Sequence, residues 1–518
     1  MDKKDLKIKD TEVENLKRRE IAIKNTEVEK KSFWESLKGI TVWTWNTSWK
    51  IIEILVIGFF KFIFAIFSTP DGKVIKEKIL EDEEKKSKIA EKLSKKKDSI
   101  FIGKIGSEDV YVEQSDRACV IGPPGTGKTT FLINQVYRWM ETNNSFVCLD
   151  IKPEIYDITK DKLEKAGYKC IVYNPTNVKD KYNFLGDLNT PEAIGEIASA
   201  FIQSDDTAPV FGETARDLLD AIIKHLKAPT KKNPKPTPTL ADVYDFIVSY
   251  DSIKSLLAVL SGSNSKDCKA IAKTLKIMAD NDRLLGSIFA TFVSSMRFLR
   301  YESIRESLNS GGFSLDELLK PKVALFVQFE EAHKETTAKL FSVFIGHILR
   351  YMITNFNNRG CVFLMLDEIG NAGVVLDLTG KLNTIRSRNL PTWLYWQSIE
   401  QMQRYGQKAN EGSNTILGAC DLHMCFRLND NASADYFSAK IGTQRVEKIT
   451  YSSSSTGGEN PSSSSGHTSS SEIEAIIEPH EIQQLEMGVV LYSYRGNNWI
   501  GEATPYYKEN ELIKSDDV

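Results

Sequence analysis

Residues 119–131 read "CVIGPPGTGKTTF", and no other stretch narrows the fold as much. It holds the pattern G-x-x-x-x-G-K-T at 122–129, between a short apolar run and the amphipathic "FLINQVYRWM". That spacing predicts strand, loop and helix, with glycine backbone wrapped around phosphate oxygens at the helix N-terminus. Gly122, Gly125 and Gly127 let the backbone N–H groups turn inward. With Pro123, Pro124, Thr126, Lys128, Thr129 and Thr130 they make the expected nucleotide-contacting set. Lys128 is placed for the β- and γ-phosphates and Thr129 for Mg²⁺. No N-K-x-D guanine-reading motif occurs, so ATP is the expected nucleotide.

Hydrolysis needs acidic groups as well. "CVFLMLDEIGNAG" reads as a buried strand that ends in Asp367 and Glu368. An aspartate closing a strand can hold Mg²⁺ through water, and the neighbouring glutamate can act as general base toward the attacking water. The next apolar run, "PTWLYWQS", ends in Gln397, which can bond the γ-phosphate, orient that water, or merely start a helix. Upstream, "NTIRSRNL" holds Arg386 and Arg388, and either could enter a neighbouring subunit's site or face solvent.

Strands are expected at 118–121, 145–150, 169–173, 323–329, 361–366, 392–396 and 423–427, alternating with helices. Such alternation predicts an open α/β sheet with the site at its C-terminal edge. About 230 residues separate the phosphate loop from Asp367, more than the intervening βα units require. Between 210 and 310 the apolar periodicity is purely helical, broken by the proline-rich "APTKKNPKPTPT" at 228–239. An all-α domain over 206–310 is therefore expected inside a nucleotide-binding domain made of 101–205 and 311–505. "SSSSTGGENPSSSSGHTSSS", 452–471, is polar, low in complexity and expected to be a disordered loop. Residues 506–518 are expected to form a short tail.

The N-terminal hundred residues differ in kind. Residues 1–32 are a charged segment. Residues 33–68 hold four of the eight tryptophans (Trp34, Trp43, Trp45 and Trp49) ahead of an apolar run that Glu53 and Lys61 interrupt. Tryptophan at the border of an apolar run predicts a membrane anchor, either spanning or lying in the interface. Residues 69–100 are expected to be a charged helical linker, with Glu81–Lys85, Asp82–Lys86 and Glu84–Lys88 at i,i+4 spacing.

A net charge of −3 excludes a broadly basic nucleic-acid-binding coat, so any such contact must be local. Four of the seven cysteines (119, 148, 170 and 361) fall in strand-like runs, as in a reduced cytosolic protein. Cys420, His423 and Cys425 share one apolar run, "ACDLHMCFRL", and read as a core strand, since they would alternate across it.

The order of these features resembles a family. The membrane segment precedes the phosphate loop, "LDIKPEIYD" and a helical insertion opening with "ARDLLDAIIKHL". Then follow "LMLDEIGNAG", "YWQSIEQM", "GACDLHMCFRLNDNASADYFSAKIG" and "IEPHEIQQLEMGVVLYSYRG". Over roughly residues 115–500 the chain resembles the type IV coupling proteins of bacterial conjugation and secretion (TraG/TraD-like ATPases). The resemblance implies a RecA-like P-loop NTPase domain, assembled as a homo-hexamer, with the all-α domain facing the cytoplasm. It implies localisation to the bacterial cell membrane with the bulk of the chain cytoplasmic. It also implies partners: relaxase-bound single-stranded DNA, other relaxosome proteins and secretion-channel components. Lys128 and Thr129 match the family's phosphate-loop pair, Asp367 and Glu368 its acidic pair, and Gln397 its sensor glutamine. Arg386 falls at its R-x-R-G turn, where Asn389 replaces the glycine. Two other readings stay open: a membrane-tethered septal or packaging DNA translocase, and a receptor whose ATP site only controls assembly.

Overall fold

The computed structural model describes residues 86–203, 209–229, 236–277, 282–329, 333–358, 360–456 and 462–509. The expected anchor at 33–68, the segment 1–32 and most of the linker lie outside them. Among the described residues no helix is long and apolar enough to cross a membrane.

Seven apolar runs form the parallel part of the sheet. They are β3 (Ala118–Ile121), β4 (Ser145–Leu149), β5 (Lys169–Tyr173), β6 (Val323–Val327), β7 (Val362–Leu366), β8 (Thr392–Trp396) and β9 (Leu422–Cys425). Each lies where the sequence predicts a strand, within two residues at either end. Except in β5, every residue of these strands is buried, because helices cover both faces. Four further strands extend one edge antiparallel: β1 (Ile100–Ile105), β2 (Glu108–Val112), β12 (Val489–Tyr494) and β13 (Asn497–Glu502). The full order is β2-β1-β13-β12-β9-β3-β8-β7-β4-β6-β5, so the phosphate-loop strand β3 is central.

Of the added strands, β12 and β13 are joined by a turn of unusual composition. They join through Arg495 and Gly496, both at positive φ (46° and 82°). That conformation usually calls for Asn-Gly or Asp-Gly. Here the arginine head is held by Asp116 at 2.7 Å and Glu113 at 2.9 Å, which ties the turn to the chain entering β3.

Helices α1 (Lys128–Met140) and α2 (Glu154–Lys165) follow β3 and β4. Between β5 and β6 the chain is largely helical: α3 (Pro191–Phe201), α4 (Pro209–Lys227), α5 (Leu240–Val248), α6 (Ile253–Ser261), α7 (Lys266–Ile277), α8 (Asp282–Ser295) and α9 (Glu302–Ser307). Caps follow the local sequence: Thr239 accepts from Asp242 N at 3.2 Å while Asp242 accepts from Thr239 N at 2.7 Å. Helix α10 (Lys334–Thr354) comes between β6 and β7, and α11 (Leu378–Ile385) between β7 and β8.

The serine-rich stretch differs from expectation where it is described, on either side of 457–461: β10 (Thr443–Thr456) runs antiparallel to β11 (Ser462–Ala475), from Thr443 opposite Ala475 to Thr456 opposite Ser462. Ladder bonds come from the backbone, so a polar, low-complexity run can pair once its flanks are brought together. The described part of the expected helical linker packs against the sheet edge. Residues 86–92 are helical, Ala90 and Leu93 are buried, and Tyr111 N donates to Leu93 O at 2.8 Å. The dense charge spacing there hides a short apolar stripe on the opposite face.

The antiparallel edge closes around Gly103, whose φ is +131° at a register shift in β1. A Cβ there would stand 2.4 Å from Glu502 O and 2.5 Å from Tyr492 Oη. Gly103→Ala should therefore cost roughly 2 kcal/mol or more, through a clash and a disfavoured dihedral together. Urea unfolding of variant and wild type checks this, and an unchanged midpoint would refute the packing described.

Candidate functional site

The phosphate loop leaves β3 and enters α1 through Gly125 and Gly127, at φ of +79° and +99°. At Gly122 the constraint is close approach, since a Cβ would lie 2.8 Å from the Phe426 Cβ. The loop is pinned on three sides. Gly122 N donates to Trp396 O at 3.1 Å, Phe426 N donates to Ile121 O at 2.9 Å, and Thr126 Oγ1 donates to Pro123 O at 2.9 Å. Thr130 Oγ1 donates to Gly127 O at 2.9 Å and steadies the first turn of α1. Neighbours on both flanking strands therefore hold the loop's shape.

Lys128 is buried and its ammonium donates to the carbonyls of Gly122 and Pro123. Desolvation pushes its pKa below the ordinary lysine value, while Asp367 and Glu368 pull it back up. The same burial acts on Asp367 in the opposite sense. Its carboxyl is pushed up to about 7, chiefly by desolvation, with Lys128 opposing and Glu368 adding to the rise. Asp367 Oδ1 accepts from Glu368 N at 3.0 Å. Glu368 itself has φ 47°, a left-handed conformation uncommon for this residue type, and its Oε2 accepts from Asn371 Nδ2 at 2.8 Å. The strained backbone turns the chain sharply after β7, so consecutive acidic residues both reach one cleft.

That cleft, of about 250 Å³, is lined by Pro124, Gly125, Gly127–Thr130, Asp367 and Glu368. The structure thus gathers most of the predicted nucleotide set with the acidic pair. It adds residues that sequence reading missed: Asp150, Ile151, Lys152, Glu154 and Met487. Asp150 was legible in principle, because it closes β4 as Asp367 closes β7. It is buried, accepting from Ile155 N at 3.2 Å, Tyr156 N at 2.9 Å and Gln328 Nε2 at 3.1 Å. Those bonds cap α2 beside the cleft.

Gly122, Pro123 and Thr126 of the predicted loop set do not line the cleft, and neither do Gln397 and Arg386. Gln397 follows Trp396, the residue whose carbonyl holds Gly122, and Gln397 N donates to Gln401 Oε1 at 3.1 Å. Arg386 is exposed just after α11, near the end of the sheet where β3 and β8 begin. Arg117, which leads into β3, donates from Nη1 to Leu382 O in α11 at 2.9 Å. Arg386 is therefore at the opposite end of β8 from the phosphate loop. Arg388 stacks on the Phe356 ring at 4.0 Å. Asn389 has φ 49°, which explains why asparagine can replace glycine at this turn. His423 lies within β9 and Cys425 ends it; the His423 Nε2 is 2.8 Å from Leu417 O, so its ring is used in packing.

The family model described as "Type IV secretory system Conjugative DNA transfer" matches residues 70–514. The chain belongs to this family. It is 22% identical over 394 residues to a probable conjugal transfer protein TraG of Sinorhizobium fredii (strain NBRC 101917 / NGR234), covering 73% of this chain. The chain spans 59% of that relative's length. The plasmid coupling protein TrwB, solved with the non-hydrolysable ATP analogue ADPNP, shares the fold with a TM-score of 0.61 at 17% identity, over 81% of this chain and 92% of TrwB. TrwB with ADP and Mg²⁺ gives the same TM-score and identity, over 81% and 91%. The likeness to TrwB shows a shared fold, an α/β domain around a large, mostly parallel sheet.

The raised Asp367 carboxyl sets a pH test. Its ordinary value is 3.8 and its value in the fold is about 7, so the folded state binds the extra proton between those limits. Stability contributed by that proton is present at low pH and is lost as pH rises through about 7. Without Mg²⁺ or nucleotide, Asp367→Asn should raise the melting temperature at pH 8, with the gain shrinking toward pH 4. Thermal denaturation across that range checks it, and a gain independent of pH would refute it.

Proposed function

We propose that this chain is a coupling ATPase that recruits relaxase-bound single-stranded DNA, with or without protein substrates, to a type IV secretion channel and drives transfer by ATP hydrolysis. In this reading it works as a homo-hexameric ring anchored in the bacterial cell membrane through residues 33–68. The RecA-like domain (101–205 and 311–505) is the motor, and the all-α domain (206–310) receives the substrate. One observation carries the reading: Lys128, Thr129, Asp367 and Glu368 line a single cleft at the C-terminal edge of a parallel sheet, in a member of a DNA-transfer family.

The residues present fit ATP with Mg²⁺. A hydroxyl and a carboxylate, Thr129 and Asp367, are the hard oxygen ligands that Mg²⁺ takes. Ionised Asp367 is costly where it stands, so a divalent cation beside it would offset that cost. Bound Mg²⁺ would supply charge neutralisation at the β- and γ-phosphates. Lys128 would trade the carbonyls of its own loop for phosphate oxygens. The N–H groups of residues 125–130 would hold the remaining phosphate charge at the start of α1. Glu368, fixed by Asn371, would take a proton from the attacking water. Gln397 would respond to the γ-phosphate through the adjoining Trp396–Gly122 bond.

Arg386 cannot serve the cleft of its own subunit from the far end of β8, and its exposure suits a neighbour's site. Arg388, stacked on Phe356, is the weaker candidate for that role. The family and the TrwB complexes with ADPNP and ADP–Mg²⁺ support the nucleotide and Mg²⁺ part of this scheme.

Glu368→Gln should keep ATP and Mg²⁺ binding while turnover falls ~10²–10⁴-fold; Lys128→Ala should lose triphosphate binding itself. Equilibrium binding and steady-state turnover separate the two. Single-stranded DNA should stimulate wild-type turnover more than duplex DNA, whereas insensitivity to both would favour a receptor whose ATP site only controls assembly. Arg386→Ala should bind ATP yet turn over poorly. Mixing it with Lys128→Ala protein should restore part of the activity, because some interfaces then join an intact loop to an intact arginine. No recovery at any ratio, with assembly confirmed, would count against a shared site.

A further inference from the structure

One wall of the cleft has no evident part in handling phosphate. Met487 lines it, 58% exposed, and its side-chain atoms come within 3.9 Å of where a Cβ on Gly127 would lie. Single exposed apolar side chains are common on protein surfaces; what sets Met487 apart is its place in the wall of the cleft beside the phosphate loop. The backbone on either side of Met487 is hydrogen-bonded. Val489 N donates to Glu486 O at 3.1 Å, Gly488 has φ +90°, and Ala503 N donates to Gly488 O at 2.8 Å. The turn before β12 therefore fixes the backbone that carries Met487, while the thioether keeps its rotamer freedom.

Strand order supplies the direction. Asp367 closes β7, two strands from β3 on one side; Met487 precedes β12, two strands from β3 on the other. Each offset is about 10 Å at ordinary strand spacing. Phosphates held at the start of α1, with the terminal phosphate toward Asp367, would leave the side of the cleft that Met487 lines for the sugar and base.

We propose that Met487 and its turn form the wall against which the base of a bound nucleoside triphosphate packs, holding the base by apolar contact rather than by reading its edge. This rests on the nucleotide reading given above. A thioether is polarisable and adapts to a flat ring. Among the described residues lining the cleft, the acidic and basic side chains other than Lys128 come from β7 and from the β4–α2 connection, on the phosphate side. Adenine and guanine should then be accepted about equally.

The test is equilibrium binding of ATP, GTP and inorganic tripolyphosphate, each with Mg²⁺, to the full chain. Met487→Ala should weaken ATP and GTP about tenfold each and leave tripolyphosphate unchanged, and Met487→Leu should recover most of the loss. Lys128→Ala should weaken all three. Wild-type affinity for ATP in Met487→Ala, an equal loss of tripolyphosphate, or a wild-type preference above tenfold between ATP and GTP would overturn the proposal while leaving the nucleotide site in place. If the wild-type chain binds none of the three, the nucleotide reading falls and this inference falls with it.

Discussion

Two parallel strands kept one strand apart govern the chemistry of this chain. β3 delivers the phosphate loop, β7 delivers Asp367, and β8 between them sets their ends about 10 Å apart. Backbone pairing enforces that spacing: Ala118–Ile121 lie against Trp393–Trp396, and Leu364–Leu366 against Thr392–Leu394. Because these strands are buried on both faces, a slip of one residue would turn each side chain into the opposite layer. Such a slip would separate Lys128 from Asp367. The register of three strands is thus the condition on which the cleft exists.

Within that frame the cleft is held in an unfavourable electrostatic state. Burial disfavours the charged forms of both Lys128 and Asp367, and each charge is sustained mainly by the other. Hydrogen bonding to Gly122 and Pro123 occupies the lysine without neutralising it. A site of this kind gains most from a ligand bringing both signs of charge, as a triphosphate with a divalent cation does. The folding energy spent on placing these groups becomes binding energy when such a ligand enters.

The two ends of the sheet divide the remaining work. The end where the parallel strands finish holds the loop, the acidic pair and Met487. The end where they begin holds Arg386, with Arg117 bonded both to α11 and to Asp421 (3.0 Å). A rigid strand therefore joins an exposed cation at one end to Trp396 and Gln397 at the other.

Much of this was legible in the sequence, and the parts that were not share a cause. Apolar runs closed by polar residues located all seven parallel strands, and the glycine–lysine–threonine spacing located the loop. Those signals are local: each depends on residues a few positions apart. Pairing partners, by contrast, are decided by contacts between residues hundreds of positions apart, and no short pattern encodes them. So the antiparallel edge, built through an Arg-Gly turn that Glu113 and Asp116 hold, was invisible, as was the ribbon formed by the serine-rich stretch. The residue types at the candidate site were legible in the sequence alone, because the glycine–lysine–threonine spacing and the acidic residues closing an apolar run are local patterns. Which of them share a cleft was decided only by the tertiary structure. Strand order puts Asp367 and Met487 on either side of the phosphate loop and sends Arg386 to the far end, since sheet position follows from long-range backbone pairing and not from nearness along the chain.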